Sequence, residues 1–189
     1  AYRDRIHLGS GDKGEFSQAY FLPGEPISSS VAAAADFDQD GDLDLFIGGR
    51  VVPGRWPSSP GSRLYLNESE PGTLRFKLAS KEQAGVLQAC QRATSALWSD
   101  INRDGWMDLL VTHEYGPIRI FLNKEGKLKD LTTETGMEKL KGMWYGIAGR
   151  DLDGDGDIDY VATNFGKNTT YKASQKKPEL LYYGDLDGT

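Results

Sequence analysis

The feature that most constrains this fold is a nine-residue acidic segment that occurs three times. The copies are DFDQDGDLD at 36–44 (loop 1), DINRDGWMD at 100–108 (loop 2) and DLDGDGDID at 151–159 (loop 3). They hold five, three and five of the chain's 28 acidic residues. Carboxylates this close repel one another, so we expect positive charge to lie among them. The recurrence itself indicates a protein built from repeats.

Each acidic loop lies between two runs that are typical of β-strands. Small apolar residues precede the loops (SSVAAAADF, ATSALWSDI, WYGIAGRDL), and alternating apolar residues follow them (LDLFIGG, MDLLVTH, IDYVATN). Short runs of this kind, bounded by turn residues, predict strands. Two further strands are predicted after loop 1, at 63–67 and 74–79, and two more follow loop 2 as IRIFLN and KLKDLT. The plan is therefore four short strands in each repeat.

Four-stranded units at this spacing are typical of β-propeller blades. We predict an all-β chain that forms a partial β-propeller of about three four-stranded blades, with a β-sandwich carrying acidic loops as the alternative. The predicted repeats span 31–80, 92–133 and 143–184, preceded by a hairpin of an earlier blade at 1–30 and followed by the start of a fourth loop at 185–189. Because closed propellers have about four to eight blades, we expect further blades or other chains to complete a ring.

The spacing of the acidic residues fits a metal site made of oxygen ligands. In the pattern DxDxDGxxD, side chains at positions 1, 3, 5 and 9 and the backbone carbonyl at position 7 can converge on one ion, and Ca²⁺ accepts about six to eight oxygens. We predict about three calcium ions. The predicted ligands are Asp36, Asp38, Asp40, Asp42 and Asp44 in loop 1; Asp100, Asn102, Asp104, Trp106 and Asp108 in loop 2; and Asp151, Asp153, Asp155, Asp157 and Asp159 in loop 3.

The three sites are not expected to be equal. Loop 2 has one fewer carboxylate and carries Arg103, so we expect it to bind calcium most weakly. Asp185 and Asp187 in the segment DLDGT leave a fourth calcium site as an open question.

An EF-hand, a magnesium site and a zinc site each fit the loops less well. An EF-hand needs a glutamate at position 12 and flanking helices, whereas position 12 is Ile47, Val111 or Ala162 here. Magnesium prefers few carboxylates and several waters, and zinc prefers His or Cys ligands, which do not occur near the loops. Acidic turns without metal are the remaining alternative, since Asp and Gly both favour turns.

The loop-and-strand units resemble a known repeat family. The segments AAADFDQDGDLDLFIGGRVVPGRWP, ALWSDINRDGWMDLLVTHEYGPIRIFLN and GIAGRDLDGDGDIDYVATNFGKN resemble the FG-GAP/VCBS repeats of integrin-α-type β-propellers. The likeness is greatest to the branch that includes cartilage acidic protein and its bacterial relatives, and it implies structural calcium at the positions named above. The Phe-Gly and Gly-Ala-Pro elements are degraded, with Phe165-Gly166 as a remnant, so integrin-style ligand binding does not carry over.

No sequence motif makes a convincing catalytic set. GSGDKG at 9–14 matches a dinucleotide-binding pattern, but a strand follows it and the pattern requires a helix, so we predict a hairpin turn. His113 and Glu114 are a candidate acid–base pair, with a structural role favoured. His7 lies in an apolar strand and is predicted to be structural, and Cys90 to be a small buried thiol.

Aromatic residues and two polar loops are further candidates for binding. Trp56, Trp98, Trp106 and Trp144 could form a sugar-stacking platform, although packing between blades is favoured. The segment RVVPGRWPSSPGSR at 50–63 contains three arginines and no acid and is predicted to be an exposed, flexible spacer. The segment GKNTTYKASQKK at 166–177 is predicted to be a second basic, polar loop. Asn67 and Asn168 fit the glycosylation pattern.

These observations favour a binding module over an enzyme. A net charge of −6 argues against nucleic-acid binding, and no apolar run is long enough for membrane insertion. We expect a calcium-binding module that is extracellular, at the cell surface or periplasmic, and that binds a protein or glycan partner. The alternatives are a carbohydrate-active enzyme on a propeller scaffold (a polysaccharide lyase or hydrolase) and a purely structural segment of a surface protein.

Overall fold

The fold is built from antiparallel β-strands that pair with their neighbours in the chain. The computed structural model describes residues 3–10, 14–166, 170, 172–174, 176–180 and 182–184. Within them the strands are β1 (Arg5–Ser10), β2 (Glu15–Phe21), β3 (Ser28–Ala35), β4 (Asp44–Val51), β5 (Arg63–Asn67), β6 (Phe76–Leu78), β7 (Ala93–Ser99), β8 (Asp108–His113), β9 (Arg119–Asn123), β10 (Leu128–Asp130), β11 (Trp144–Arg150) and β12 (Asp159–Asn164).

Two complete four-stranded sheets form the centre of the described structure. Sheet 1 has the order β3-β4-β5-β6, and sheet 2 has the order β7-β8-β9-β10. The pairs β1-β2 and β11-β12 form two smaller sheets. The all-β prediction is confirmed, and the arrangement is consistent with a β-propeller-like fold. The outer two strands predicted for the third repeat are absent from the residues that the structure describes.

Short helical turns connect the sheets. Helix α1 (Lys81–Ala84) and the 3₁₀ turn Gly85–Ala89 join sheet 1 to sheet 2, and a second 3₁₀ turn, Met137–Lys139, precedes β11. Ser80 and Gln83 form a capping box that begins α1, since each side chain accepts a backbone N–H of the other residue. No helix among the described residues is long and apolar enough to cross a membrane.

The main hydrophobic core lies between sheets 1 and 2. Phe46 and Leu64 of sheet 1 pack with Trp98, Val111 and Phe121 of sheet 2, and all five are buried. The Trp98 indole N–H donates to the carbonyl oxygen of Ala33 at 3.2 Å, which links the first strands of the two sheets. Burial of each such side chain contributes about 1.5–3 kcal/mol, so this interface is a principal source of stability.

Sheet 1 is buried on both faces. Successive residues of a strand point to opposite faces, so Phe46 faces sheet 2 while Ile47 packs with Tyr65 and Leu22 in a second cluster. Ile6 of β1 packs against that second cluster, which places the N-terminal hairpin on the outer face of sheet 1. Strand β7 in turn contacts both β3 and β11. The first strands of the three repeats are therefore neighbours in space.

The segment at 50–63, predicted to be an exposed, flexible spacer, is exposed at 53–56 but packed at its base. Pro57 is fully buried, and its carbonyl oxygen accepts a hydrogen bond from the Arg92 guanidinium at 3.0 Å. A methyl group placed on Gly49 would lie 1.8 Å from the carbonyl oxygen of Gly61. The base of the loop therefore presses against the backbone of β4.

Some sequence predictions fall outside the described residues. They are residues 11–13 of the GSGDKG segment, Asn168, and the fourth loop with Asp185 and Asp187. The strands on both sides of the first of these do pair, with Ser10 opposite Glu15, as a hairpin requires.

Candidate metal-binding loops

The three acidic loops lie at the same end of neighbouring sheets. Each connects the first strand of a repeat to the second: β3 to β4, β7 to β8, and β11 to β12. Because β7 contacts both β3 and β11, loop 2 lies between loop 1 and loop 3.

The first and fifth positions of each loop accept hydrogen bonds within the loop. The position 1 carboxylate accepts the N–H of the position 6 glycine at 3.1, 2.9 and 3.0 Å in loops 1, 2 and 3. The position 5 carboxylate accepts the N–H of position 7 at 2.9, 2.9 and 2.8 Å. One backbone path is thus repeated three times, and it turns these aspartates toward the interior of each loop.

Glycine at position 6 is required by the backbone. Gly41, Gly105 and Gly156 have φ values of 94°, 88° and 91°, in a region that side chains with a Cβ rarely adopt. Position 4 is also left-handed, at 61° for both Gln39 and Arg103 and 81° for Gly154. These two positions give the loop the tight curvature that brings alternate side chains together.

The aspartate at position 9 closes each loop. Asp44 Oδ2 accepts the N–H of Phe37 at 2.9 Å, and Asp108 and Asp159 accept the equivalent N–H at 2.9 and 3.0 Å. Asp44 and Asp108 are fully buried, whereas Asp159 is only half-buried.

An asparagine at the end of the third strand completes loops 1 and 2. The backbone N–H of Asn67 donates to Asp44 Oδ1 at 2.8 Å, and its side-chain amide donates to the Leu43 carbonyl at 3.2 Å. Asn123 makes the same contacts to Asp108 and Met107, at 2.7 and 3.2 Å.

This role of the asparagines was not predicted from the sequence, although a signal was present. The third strands RLYLN and RIFLN both end in Leu-Asn. The Asn67 amide, which fits a glycosylation pattern, is engaged in these contacts.

Loop 1 has buried carboxylate oxygens with no partner. Asp36 Oδ1 and Asp38 Oδ1 are buried and accept no hydrogen bond. Carboxylate oxygens of Asp36, Asp38 and Asp40 lie within 4.8 Å of one another, as do those of Asp151, Asp153 and Asp159 in loop 3. Unsatisfied buried acceptors are rare, and a cation among them would satisfy both the missing contacts and the charge repulsion. The residues of loop 1 therefore fit a bound metal ion.

In loop 2 an asparagine side chain forms hydrogen bonds with one of the predicted ligand aspartates. The Asn102 side-chain amide donates to Asp104 Oδ2 at 2.9 Å, and its Oδ1 accepts the N–H of Asp104 at 3.1 Å. Arg103 does not face its own loop. It forms an ion pair with Asp157 of loop 3, so its charge lies nearer to loop 3 than the sequence suggested.

The acidity of the loop carboxylates is shifted by their surroundings. Burial raises the pKa of Asp44 to about 6, although the N–H groups of Asn67 and Phe37 act in the opposite direction. Burial also raises the pKa of Asp38, with a further contribution from the charge of Asp40, and burial raises the pKa of Asp108. Without a counter-ion, ionised carboxylates are thus disfavoured here, and a divalent cation reverses that balance.

The candidate acid–base pair lies at the other end of the sheets. His113 is 3% exposed, with Nδ1 3.0 Å from the Pro117 carbonyl and Nε2 3.1 Å from the Cys90 sulfur. Burial lowers the pKa of His113 to about 4 and raises the pKa of the buried Cys90 thiol to about 12. Glu114 pairs with Arg50 at 2.6 Å. Cys90 is buried as predicted, while His7 is exposed on β1.

The four tryptophans have different environments. Trp98 is part of the core, Trp106 and Trp144 are half-buried, and Trp56 is 55% exposed. They do not form one platform, because Trp106 lies in loop 2 and Trp56 at the opposite end of the sheets. Trp56 instead contacts Tyr115 edge-on, with ring centroids 6.3 Å apart.

Comparison with known families gives one match. The family model of the FG-GAP-like repeat matches residues 100–162. This segment begins at the first aspartate of loop 2 and ends in β12, so it includes the predicted ligands of loops 2 and 3. No curated protein matches the chain. The match supports the resemblance to FG-GAP repeats that the loop segments indicated.

Proposed function

We propose that this chain is a calcium-stabilised, β-propeller-type segment of the FG-GAP/VCBS kind that acts outside the cytosol as a binding module. The observation that carries the proposal is the shared backbone frame of the three loops together with the unpartnered oxygens of Asp36 and Asp38. The bacterial branch that includes relatives of cartilage acidic protein is the placement we favour for the chain.

Calcium is favoured by the chemistry of the loop residues. The predicted ligands are carboxylates, one amide and backbone carbonyls, and Ca²⁺ takes about six to eight such oxygens in irregular geometry. The His113 and Cys90 side chains, which zinc would prefer, contact each other at the opposite end of sheet 2. The ion's role here is to neutralise clustered carboxylates and tie the first and second strands together.

The expected affinity supports a location outside the cytosol. Loop-built calcium sites of extracellular modules bind with dissociation constants of about 10⁻⁴–10⁻³ M. Sites of that strength fill at extracellular calcium concentrations and stay empty in cytosol. We therefore expect the loops to be occupied by calcium in an extracellular, cell-surface or periplasmic location.

The experiment that tests this proposal combines metal counting with thermal unfolding. We expect about three calcium ions per chain. At a calcium concentration one hundred times the dissociation constant, each site that exists only in the folded chain adds about 2.7 kcal/mol to the free energy of unfolding. Magnesium at the same concentration is the matched control and should raise the Tm much less. Absence of bound calcium, with identical Tm in calcium and EDTA, would overturn the proposal.

We place the partner-binding surface at the end of the sheets opposite the loops. Trp56 and Tyr115 are 55% and 43% exposed there, and Trp56 is carried on a loop fixed by the Arg92–Pro57 hydrogen bond. Tyr115 has a φ of 55°, a backbone strain that often marks functional sites. This pair is a rigid, exposed aromatic surface.

The charge around this aromatic surface favours an anionic ligand. Arg55 precedes Trp56 in the chain, and Arg92 donates to the carbonyls of Pro57 and Glu114. The Glu114 carboxylate is paired to Arg50 through one guanidinium nitrogen. The other nitrogen, Arg50 Nη1, is buried and has no hydrogen-bond partner, so Arg50 contributes its charge to this surface, and the exposed Arg55 is the arginine open to a ligand. Aromatic faces stack on the flat face of a sugar ring, and arginines bind carboxylates. We therefore favour a uronate-containing glycan over a protein partner.

Binding to an acidic glycan can be tested directly. A hyaluronan oligosaccharide is the probe, and a neutral dextran oligosaccharide is its uncharged counterpart. We expect Trp56→Ala and Arg50→Gln to weaken hyaluronan binding, and Tyr182→Ala, at another exposed tyrosine, to leave it unchanged. Equal binding of wild type and Trp56→Ala would overturn this assignment. Failure to bind any glycan, with capture of a protein partner that Trp56→Ala loses, would move the surface to protein recognition.

The enzyme alternative has less support in the described residues. A lyase or hydrolase needs a base or two carboxylates facing one cleft. His113 and Glu114, the pair that the sequence offered, are engaged with Cys90 and Arg50. A binding role is therefore the one that we propose.

A further inference from the structure

Adjacent acidic loops are joined by a contact that repeats along the chain. The Gln39 side-chain amide, at position 4 of loop 1, donates to the Gly105 carbonyl of loop 2 at 2.9 Å. The Arg103 guanidinium, at position 4 of loop 2, donates to the Gly156 carbonyl of loop 3 at 2.8 Å. In both cases the donor is at position 4 and the acceptor at position 6 of the next loop.

The accepting carbonyl belongs to a peptide group that is also tied to a predicted metal ligand. The peptide between Gly105 and Trp106 accepts from Gln39 through its carbonyl and donates its N–H to Asp104 Oδ1 at 2.9 Å. The peptide between Gly156 and Asp157 likewise donates its N–H to Asp155 Oδ1 at 2.8 Å. One rigid plane thus connects the position 5 carboxylate of one loop to the position 4 side chain of the loop before it.

Each donor residue is also adjacent in the chain to two predicted ligands of its own loop. Gln39 lies between the predicted ligands Asp38 and Asp40, and its backbone is left-handed with a φ of 61°. Arg103 has the same φ and lies between Asn102 and Asp104. Any movement of positions 3 and 5 toward an ion therefore moves the donor as well.

We propose that Gln39 and Arg103 couple cation binding in neighbouring loops through these shared peptide groups. The inference rests on the proposed calcium function and adds a relation between the sites. An ion in loop 2 that draws in Asp104 holds the Gly105–Trp106 peptide, and that peptide holds Gln39 in loop 1. Coupling of this kind is reciprocal, so an ion in loop 1 favours binding in loop 2 equally.

The repeated contact ends at loop 3. Position 4 there is Gly154, which has no side chain to donate. Loops 1, 2 and 3 thus form one coupled series, with loop 2 linked on both sides. Loop 2 is also the loop with one fewer carboxylate, so it gains most from neighbours that pre-position its backbone.

Loop 2 carries its own optical probe for the test. Trp106 is at position 7 of loop 2 and can transfer excitation energy to a Tb³⁺ ion that replaces Ca²⁺. Trp98 also lies beside loops 1 and 2, with its ring centroid 6.1 Å from that of Phe37, so the part of the emission that Trp106→Phe removes is the part that reports loop 2. We expect Gln39→Ala to raise the Tb³⁺ midpoint of loop 2 by about two- to tenfold, as loss of one hydrogen bond implies.

Two variants of Arg103 separate the hydrogen bond from the charge. Arg103→Gln and Arg103→Ala both remove the positive charge, but only glutamine can still donate to the Gly156 carbonyl, as Gln39 does to Gly105. We expect Arg103→Gln to bind Tb³⁺ in loop 2 about two- to tenfold more tightly than Arg103→Ala. Arg75→Ala is the control, because Arg75 forms an exposed ion pair with Glu68 and makes no contact to an acidic loop.

The outcomes distinguish this inference from the calcium proposal. Absence of Trp106-sensitised emission in the wild type would overturn calcium binding by loop 2, and the coupling with it. Normal emission with equal midpoints for wild type and Gln39→Ala, and for the two Arg103 variants, would overturn the coupling alone. Melting curves in EDTA confirm that each variant remains folded.

Discussion

Loops 1 and 3 have nearly the same sequence but different support from the rest of the chain. In loop 1 the closing aspartate, Asp44, is fully buried and accepts N–H groups from both Phe37 and Asn67. In loop 3 the closing aspartate, Asp159, is half-buried and accepts the N–H of Leu152. The nine-residue pattern therefore fixes the loop's path, while the third strand of the sheet determines how firmly the loop is held.

The largest expected effect tests the two closing aspartates against each other. Asp44→Ala should destabilise the calcium-bound chain by about 3–5 kcal/mol, because a buried charge with good partners is lost. Asp159→Ala should cost less, since it frees fewer N–H groups. Urea unfolding in calcium measures both free energies. Both losses should shrink in EDTA, and equal losses in calcium and EDTA would mean that the carboxylates serve the fold without metal.

The asparagine contacts test the role of the third strand. Asn123 is fully buried, and its side chain donates to the carbonyls of Phe37 and Met107 at 2.8 and 3.2 Å. We expect Asn123→Ala to cost about 1–3 kcal/mol, because buried acceptors lose their donor. Asn67→Ala is the matched variant at a half-buried position and should cost less. Equal unfolding free energies for the two variants would contradict this ranking.

The buried histidine of sheet 2 gives a pH dependence opposite in sign to that of the loop carboxylates, because its pKa is lowered while burial raises the pKa of Asp44. The folded-state pKa of His113 is lowered to about 4 from 6.5 by burial, so its contribution is present above pH 6.5 and is lost as the pH falls through 4. Between about pH 7.5 and 5 the expected loss is about 2 kcal/mol. Comparison with His113→Gln in saturating calcium isolates this contribution. An unchanged pH profile in His113→Gln would contradict it.

The smallest expected effect concerns the ligand difference between loops 1 and 2. Asn102→Asp gives loop 2 the same carboxylates at positions 1, 3, 5 and 9 as loop 1. We expect calcium affinity in loop 2 to rise by about tenfold or less, since an added negative ligand strengthens such a site. Trp106 fluorescence during calcium titration measures it. A weaker site would show that the internal hydrogen bonds of Asn102 matter more than its charge.

The sequence predicted the parts of this fold that depend on local pattern. Alternating apolar residues predicted the strands of sheets 1 and 2, and the positions of Asp36, Asp38 and Asp40 predicted that their side chains converge. Neither required knowledge of distant residues. The repeat could be recognised although its Phe-Gly element is degraded, because the acidic loops recur between similar strands.

The sequence did not predict contacts that depend on how the sheets pack. Asn67 and Asn123 were predicted only as the last residues of strands, because their partners lie 23 and 15 positions away. Arg103 was expected to weaken its own loop, but it extends to loop 3, a direction set by the packing of β7 beside β11. Residues 50–63 looked flexible because of their glycines and prolines, yet Arg92 holds them in place.

The pairing of each strand with its neighbour in the chain has a consequence for folding kinetics. Within sheets 1 and 2 every pairing joins strands that are consecutive in the chain, the longest connection being 52–62 between β4 and β5, so each sheet can form early with a modest loss of chain entropy. The bond between Asn123 and Phe37 spans 86 residues and can form only when the two sheets dock. We therefore expect each sheet to exchange its amide hydrogens as one cooperative unit, with docking as the later and slower event.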